Sequence, residues 1–331
     1  MKAIGYVHDP AHATHVIAEG ELPEPELRDH DVLVEVRAAG TNPVDYKVGR
    51  SRSGTGAPVI VGWDFAGVVR KVGARSSGFA VGDEVWGSGD ITRTGAYAEL
   101  LAVDSRVISK KPSGLSFVEA AALPLTALTA WEALIARPGL RLDQPSRVLV
   151  IGGAGGVGSI AIQLLKALTK SRVIVTASRP ETRAWCRELG ADDVVDHHGD
   201  LVAQLAELGS EPLDAVLGTS HTDRQLPAIG SLLRPFGHLT LIDDPPALDI
   251  VSLKRKSISV HWELMFTKTL FGFELESQGL ILREVARLVD EGRVRSTLNT
   301  RLEGLTASHV EQAHRVLMEA RGIGKTVIEL V

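Results

Sequence analysis

The stretch VLVIGGAGGVGSIAIQLLK, residues 148–166, constrains the architecture of this chain more than any other. Gly153, Gly155 and Gly158 stand in G-x-G-x-x-G spacing, directly after an apolar run and directly before a helical pattern. Glycine there permits a tight turn and lets the backbone, with Gly156 and Val157, approach a pyrophosphate whose charge the free amides of a helix N-terminus stabilise. A glycine-rich turn that binds nothing can have the same spacing, so the surroundings decide.

Those surroundings alternate strand and helix: RVLVIGG, VGSIAIQLLKAL, RVIVTAS, ETRAWCRELG, DDVVDH, GDLVAQLAELG, LDAVLGTS, RQLPAIGSLLRP, HLTLID. The strands are almost wholly apolar and β-branched, as expected when helices cover both faces of a parallel sheet. The predicted class is therefore α/β, with a doubly wound parallel sheet that binds a dinucleotide. Ligands bind beyond the carboxyl ends of such strands, which makes His197, Ser220, His221, Ile242 and Asp243 candidate cofactor contacts.

An enzyme selecting NAD usually ends its second strand with Asp or Glu, which bonds the ribose 2'-hydroxyl. This chain reads VIVTASRPETR instead. Ser178 is neutral, and Arg179 and Arg183 are cations whose guanidinium forks match a 2'-phosphate. The expected cofactor is NADP (NADPH). Both arginines could instead decorate a solvated helix start, where Glu181 could neutralise one of them.

The first 110 residues differ in kind. Short apolar runs punctuated by glycine and proline, such as DVLVEVRAAGTNP and APVIVGWDFAGVVRKVG, read as a compact β-rich lobe. Helix begins at SFVEAAALPLTALTAWEALI, with Ser116 and Glu119 in capping-box spacing and Pro124 expected to break or kink it. After SISVHWELMF come two further helical patterns and a closing strand, GKTVIELV. At 331 residues, two domains are expected.

Hydrophobic content of 44% and a net charge of -5 give no general attraction to nucleic acid or anionic lipid. The start, MKAIGYVHDP, has no apolar h-region, and no window is read as approaching eighteen apolar residues, so a cytoplasmic protein with no membrane partner is expected. A single cysteine, Cys186, excludes an intrachain disulfide and any zinc site built from several thiolates. Among eleven histidines, His8, His12 and His15 cluster, as do His197 and His198, and clusters on surface turns without carboxylate or thiolate partners are read as solvated.

NPVDYK at 42–47, GWDFAG at 62–67, VGDEVWG at 81–87, AALPLTALTAWEAL at 121–134 and the glycine loop running on to Gln163 and Lys166 occur in the order of a known family. The whole chain resembles the medium-chain dehydrogenase/reductase superfamily, and within it the quinone oxidoreductase (zeta-crystallin) branch, often labelled zinc-type alcohol dehydrogenase-like proteins. The resemblance implies a GroES-like, partly open β-barrel domain at 1–123, a Rossmann NADP-binding domain at 124–267, and a segment at 268–331 completing the barrel domain, with the active site in the cleft between. It also implies a homodimer built partly on SISVHWELMF.

Zinc-dependent members place cysteine, Gly-His-Glu and a further cysteine where this chain has Asn42, Gly62-Trp63-Asp64 and Leu125. An amide, an indole and an alkyl chain cannot replace thiolate and imidazole, so no zinc is expected. Without a Lewis acid nothing strongly lowers an alcohol's pKa, and hydride addition to a quinone or to the activated C=C bond of an enone or enal is easier. Asn42 is then read as an amide donor to the substrate oxygen, or as a turn residue before Pro43. Lys47 matches a proton-relay position of the family, or is a surface lysine. Thr129 matches a nicotinamide contact, or bonds its own helix. Lys325 in GKTVIEL matches a pyrophosphate-binding cation, or merely starts a strand.

Tyr46, Trp63, His261, Trp262 and Phe266 are read as an apolar substrate pocket, Trp63 alternatively as plain core, and Asp64 as a structural carboxylate. The expected activity is a zinc-independent, NADPH-dependent reduction of a small hydrophobic carbonyl or quinone. Two alternatives stay open, a zinc-dependent NAD(P) alcohol dehydrogenase and a non-catalytic NADPH-binding redox sensor.

Overall fold

A computed structural model describes residues 1–11, 14–137, 143–209 and 211–330, so His12 of the first histidine cluster lies outside the described residues. The chain divides into two compact units, Met1–Leu125 with Phe266–Val331, and Thr126–Met265. Each boundary lies two residues from the position implied by resemblance. Phe266 falls in the first unit, where its ring meets Trp63 edge-on at 5.7 Å.

In the first unit, Lys2–Asp9 pairs with Thr14–Glu21 and Val59–Ile60 in a three-stranded sheet, and a seven-stranded sheet is centred on Asp31–Gly40. That central strand pairs antiparallel with Asp64–Val72 on one side and with the C-terminal strand Lys325–Glu329 on the other. Glycine is required at its end. A Cβ on Gly40 would lie 2.2 Å from the Ala121 carbonyl oxygen and 2.9 Å from Asp64 Cβ.

In the second unit six strands, Pro145–Val150, Lys170–Thr176, Asp193–Val195, Leu213–Gly218, Leu233–Leu241 and Ser259–Trp262, form one sheet with every pairing parallel. Taken in chain order as one to six, they lie side by side as 3-2-1-4-5-6, the Rossmann order whose switch point lies between strands one and four. Leu149, Ile174, Val216 and Leu239 of the sheet pack with Leu205, Leu226 and Ile229 of the crossover helices into one buried cluster.

The region 117–136 corrects one expectation. It reaches a mean hydropathy of 1.3, long and apolar enough to cross a membrane, yet 83% of its most apolar window is buried inside the protein, as in a core helix. The capping box at Ser116 and Glu119 is present, and Pro124 ends the helix Phe117–Ala120 and opens a new one, Pro124–Trp131. A π-helical stretch, Glu132–Ala136, follows.

Candidate active site

Strand register assembles the polar centre of the first unit. Gly40 pairs with Asp64 on one side and Val327 on the other, the next amide, Thr41 N, donates to Thr326 O at 3.0 Å, and Lys325 begins the C-terminal strand beside them. The Lys325 ammonium donates to Thr41 O at 2.7 Å, Asn42 Oδ1 at 2.5 Å and Asp64 Oδ2 at 2.9 Å. Asn42 Nδ2 donates to Asp64 Oδ2 at 2.8 Å, and the Leu125 amide to Asp64 Oδ1 at 2.6 Å. All of these groups are buried, so the three ammonium hydrogens and both carboxylate oxygens find their partners inside the protein.

A second buried chain adjoins it. The helix Pro43–Arg52 opens with a capping box in which Asn42 N donates to Asp45 Oδ2 at 2.7 Å. The Tyr97 hydroxyl donates to the same oxygen at 2.8 Å and lies 3.2 Å from His314 Nε2, while Tyr6 OH lies 2.7 Å from His314 Nδ1. Burial pushes the Asp45 carboxyl up to about 7 against the pull of its two donors, and lowers His314 to about 4. Burial also raises Tyr6 to about 12. The sequence reading missed this group. One signal for it was available: His314 falls on the apolar face of its helix with Val310 and Ala313, where a histidine needs partners.

In the second unit the glycine loop has the form expected. Gly155 caps the thirteen-residue helix Gly156–Leu168, leaving the amides of Gly156, Val157 and Gly158 without intrahelical acceptors. Gly153 and Gly158 are demanded by the protein itself, since a Cβ on Gly158 would lie 2.2 Å from Gly152 O and one on Gly153 2.7 Å from Val175 Cβ. Gly155 is not: its Cβ would make only an ordinary 3.5 Å contact with Gly152 O. A hydrogen there keeps open a cradle that a pyrophosphate would fill, and the residues present fit a dinucleotide.

Parallel pairing brings Ser178, His197, Ser220, His221, Ile242 and Asp243 to the same carboxyl edge of the sheet as that loop. His197 is half-buried, and burial together with the charges of His198 and His221 lowers its pKa. Ser178, Ser220 and Ile242 are half-buried, and His221 is exposed with φ +53°. Asp243 is committed to the fold, accepting from Thr222 N at 2.9 Å and Thr222 Oγ1 at 2.7 Å where the helix Thr222–Leu232 begins. Arg183 is also corrected. Its guanidinium donates to the carbonyls of Ala177 and Val194, at 3.2 and 2.9 Å, so it braces the strand ends. Arg179 is half-buried and pairs with Glu181 at 3.3 Å, as Glu181's position allowed.

Five further expectations change. Lys325 spends its three hydrogens within the first unit, so it is not a pyrophosphate ligand. Trp63 is core, 1% exposed, with Nε1 donating to Asp90 O at 2.9 Å, and Phe266 beside it is equally buried. His261 turns to His238, Nε2 to Nδ1 at 3.3 Å, instead of lining an apolar wall. Trp262 is 54% exposed on the edge strand. Tyr46 is half-buried, edge-on to His314, with the Arg50 guanidinium 5.7 Å from its ring centre. Lys47 is exposed on the same helix, and Thr129 is buried in its own.

Residues 28–113 match the family described as alcohol dehydrogenase GroES-like domain, and residues 156–273 that described as zinc-binding dehydrogenase. A zinc-type alcohol dehydrogenase-like protein of Staphylococcus aureus (strain MSSA476) is 35% identical over 323 residues, which is 95% of this chain and 94% of the relative. The chain belongs to the medium-chain dehydrogenase/reductase superfamily. A crystal structure from Rhizobium etli CFN 42, of a protein named after zinc-dependent alcohol dehydrogenases, superposes with a TM-score of 0.93 at 45% identity and covers 100% of this chain and 98% of that one. The 2-methylene-furan-3-one reductase of Solanum lycopersicum is 30% identical over 339 residues, covering 99% of this chain and 79% of that enzyme.

These names raise zinc, and the donor set does not fit it. At the family's metal-ligand positions stand the Asn42 amide, the Trp63 indole and Leu125, and the Asp64 carboxylate beside them already holds an ammonium. Among the described residues no group of three or more His, Cys, Asp or Glu is placed to share a metal.

Proposed function

We propose that this oxidoreductase is a zinc-independent, NADPH-dependent reductase that adds hydride to a quinone or to the activated C=C bond of an enone or enal. The observation that carries the reading is the Lys325–Asn42–Asp64 cluster, which sets a fixed amide where zinc-dependent relatives bind their metal. The tomato relative, by its name a reductase of a methylene group conjugated with a ketone, supports the substrate class.

Bound NADPH supplies the hydride. The amides of Gly156, Val157 and Gly158 would hold its pyrophosphate at the helix N-terminus. Ser178 and Arg179 favour the 2'-phosphate, because no carboxylate ends the second strand. As hydride arrives at carbon, the conjugated oxygen gains negative charge, and the second Nδ2 hydrogen of Asn42 donates to it. Lys47, exposed on the same helix, or solvent returns the proton. The exposed Trp262 on the edge strand favours a homodimer, which sedimentation measures directly.

A panel of quinones, enals and enones, followed by stopped-flow loss of NADPH absorbance, tests the reading. Oxidation by at least one class, unchanged by chelators, is expected. Activity that chelation removes would establish a metal enzyme, and NADPH binding without oxidation across the panel would establish a binding protein.

A further inference from the structure

A buried ammonium must be enclosed by acceptors, and Lys325 is: Thr41 O, Asn42 Oδ1 and Asp64 Oδ2 lie 2.7, 2.5 and 2.9 Å from Nζ, with the side chain 3% exposed. Three hydrogens meet three oxygens, so none is left for a ligand. Any effect of Lys325 on chemistry must pass through the groups it holds.

Asn42 is the group with something to lose. An amide can be turned either way round, and its neighbours decide which. Lys325 can face only the oxygen and the Asp64 carboxylate only the nitrogen, so both impose one orientation. The flipped amide would set N–H against ammonium and C=O against carboxylate. Asp64 is itself held from the far side by the Leu125 amide at 2.6 Å.

A carboxylate, an amide oxygen and a backbone carbonyl are also the oxygen ligands a hard cation takes. Here the cation is covalently attached, carried in by a strand from the other end of the chain. We propose that Lys325 is a tethered cation bonded to the residue at one of the family's metal-ligand positions and a positioning residue, holding Asn42 so that its second Nδ2 hydrogen faces the substrate oxygen. The orientation of Asn42 rests on the cluster alone, and its use in turnover rests on the reductase reading.

Lys325→Ala removes the ammonium and three methylenes, leaving room for n-propylammonium. With a quinone or enone that the wild type reduces, kcat is expected to fall about 10²-fold, the usual loss for an oxyanion donor, with NADPH affinity unchanged. Propylammonium should restore turnover to Lys325→Ala but not to Asn42→Ala, and tetramethylammonium, which has no N–H, should restore neither. Independently of turnover, the 15N–1H signals of the Asn42 side-chain amide should lose protection from exchange in Lys325→Ala and regain it with propylammonium.

Unchanged Asn42 signals, or undiminished kcat, would overturn the proposal. So would weakened NADPH binding at constant kcat, which would return Lys325 to the cofactor. If the wild type reduces no substrate but the Asn42 signals respond, the positioning stands and the reductase reading fails. Should Lys325→Ala not fold because Asp64 is left without its cation, the neutral pair Lys325→Met with Asp64→Asn must show the same loss of amide protection.

Discussion

Asp45 accepts two hydrogen bonds on one carboxylate oxygen, from Asn42 N at 2.7 Å and Tyr97 OH at 2.8 Å, while its other oxygen has no partner among the described residues. A carboxyl with half its capacity unused in a fully buried site is held toward its neutral form, up to about 7. His314, two bonds along the same chain, is held neutral for the same reason, down to about 4.

These shifts have opposite signs in stability. Asp45 binds its proton more tightly folded than unfolded, so its contribution is complete below about pH 4 and is lost as pH rises through 7. His314 is protonated more readily in the unfolded chain, so its contribution is complete above about 6.5 and is lost as pH falls toward 4. Each slope is roughly 1.4 kcal/mol per pH unit where the state populations differ fully, and between pH 4 and 6.5 they oppose. Asp45→Asn should therefore lose stability in acid more steeply than wild type, and His314→Asn should lose it toward neutrality. Urea unfolding at intervals from pH 4.5 to 7.5 measures both, and parallel profiles would refute the assignment.

Arg93 grips Asp31 with two bonds of 2.8 and 2.6 Å, and Asp31 is 1% exposed. Arg93→Met should cost about 3–5 kcal/mol by leaving a buried carboxylate unpaired. Adding Asp31→Asn should recover most of it, since an amide oxygen still accepts from Arg28 N as Asp31 does at 2.8 Å. Denaturant midpoints of the two variants decide, and equal loss in both would place the cost elsewhere.

How much the sequence disclosed follows from the range of each interaction. The glycine loop, the break at Pro124 and the capping box at Ser116 depend on neighbours in the chain, and all are where the pattern put them. Asn42, Asp64 and Leu125 were visible as unsuitable zinc ligands, but not as partners of Lys325, because the bond from Lys325 to Asn42 spans 283 positions. Only the register of Gly40 with Asp64 and Val327 assembles them. Trp63 fits a pocket wall and a core equally by residue type, and its 1% exposure is what separates the two. Arg183 looked free to meet phosphate because backbone carbonyls, its actual acceptors, leave no trace in a sequence.

The loop glycines should separate folding from binding. Gly158→Ala meets a backbone carbonyl at 2.2 Å and should destabilise the protein by about 1–3 kcal/mol. Gly155→Ala meets nothing closer than 3.5 Å and should keep its melting temperature while losing NADPH affinity, because the new methyl enters the cradle. Thermal melts with fluorescence titration of NADPH compare them. Intact binding in folded Gly155→Ala would remove the pyrophosphate from this loop.

Restoring the family's ligands should not by itself restore its metal. In a variant carrying Asn42→Cys, Trp63→His and Leu125→Cys, the Lys325 ammonium still sits 2.9 Å from Asp64 Oδ2. A dication about 4 Å from it would meet a repulsion of about 8 kcal/mol at an effective dielectric of about 20. The new thiolate at position 42 would pair with the ammonium instead. Zinc titration of the triple variant should show no tight binding, and adding Lys325→Met should reveal it. Tight binding in the triple variant would mean that lysine moves aside readily and that lost ligands alone explain the lost metal. No binding in the quadruple variant, if it folds, would place the obstacle in the packing around Trp63, whose indole fills buried space against Phe266 that an imidazole would leave open.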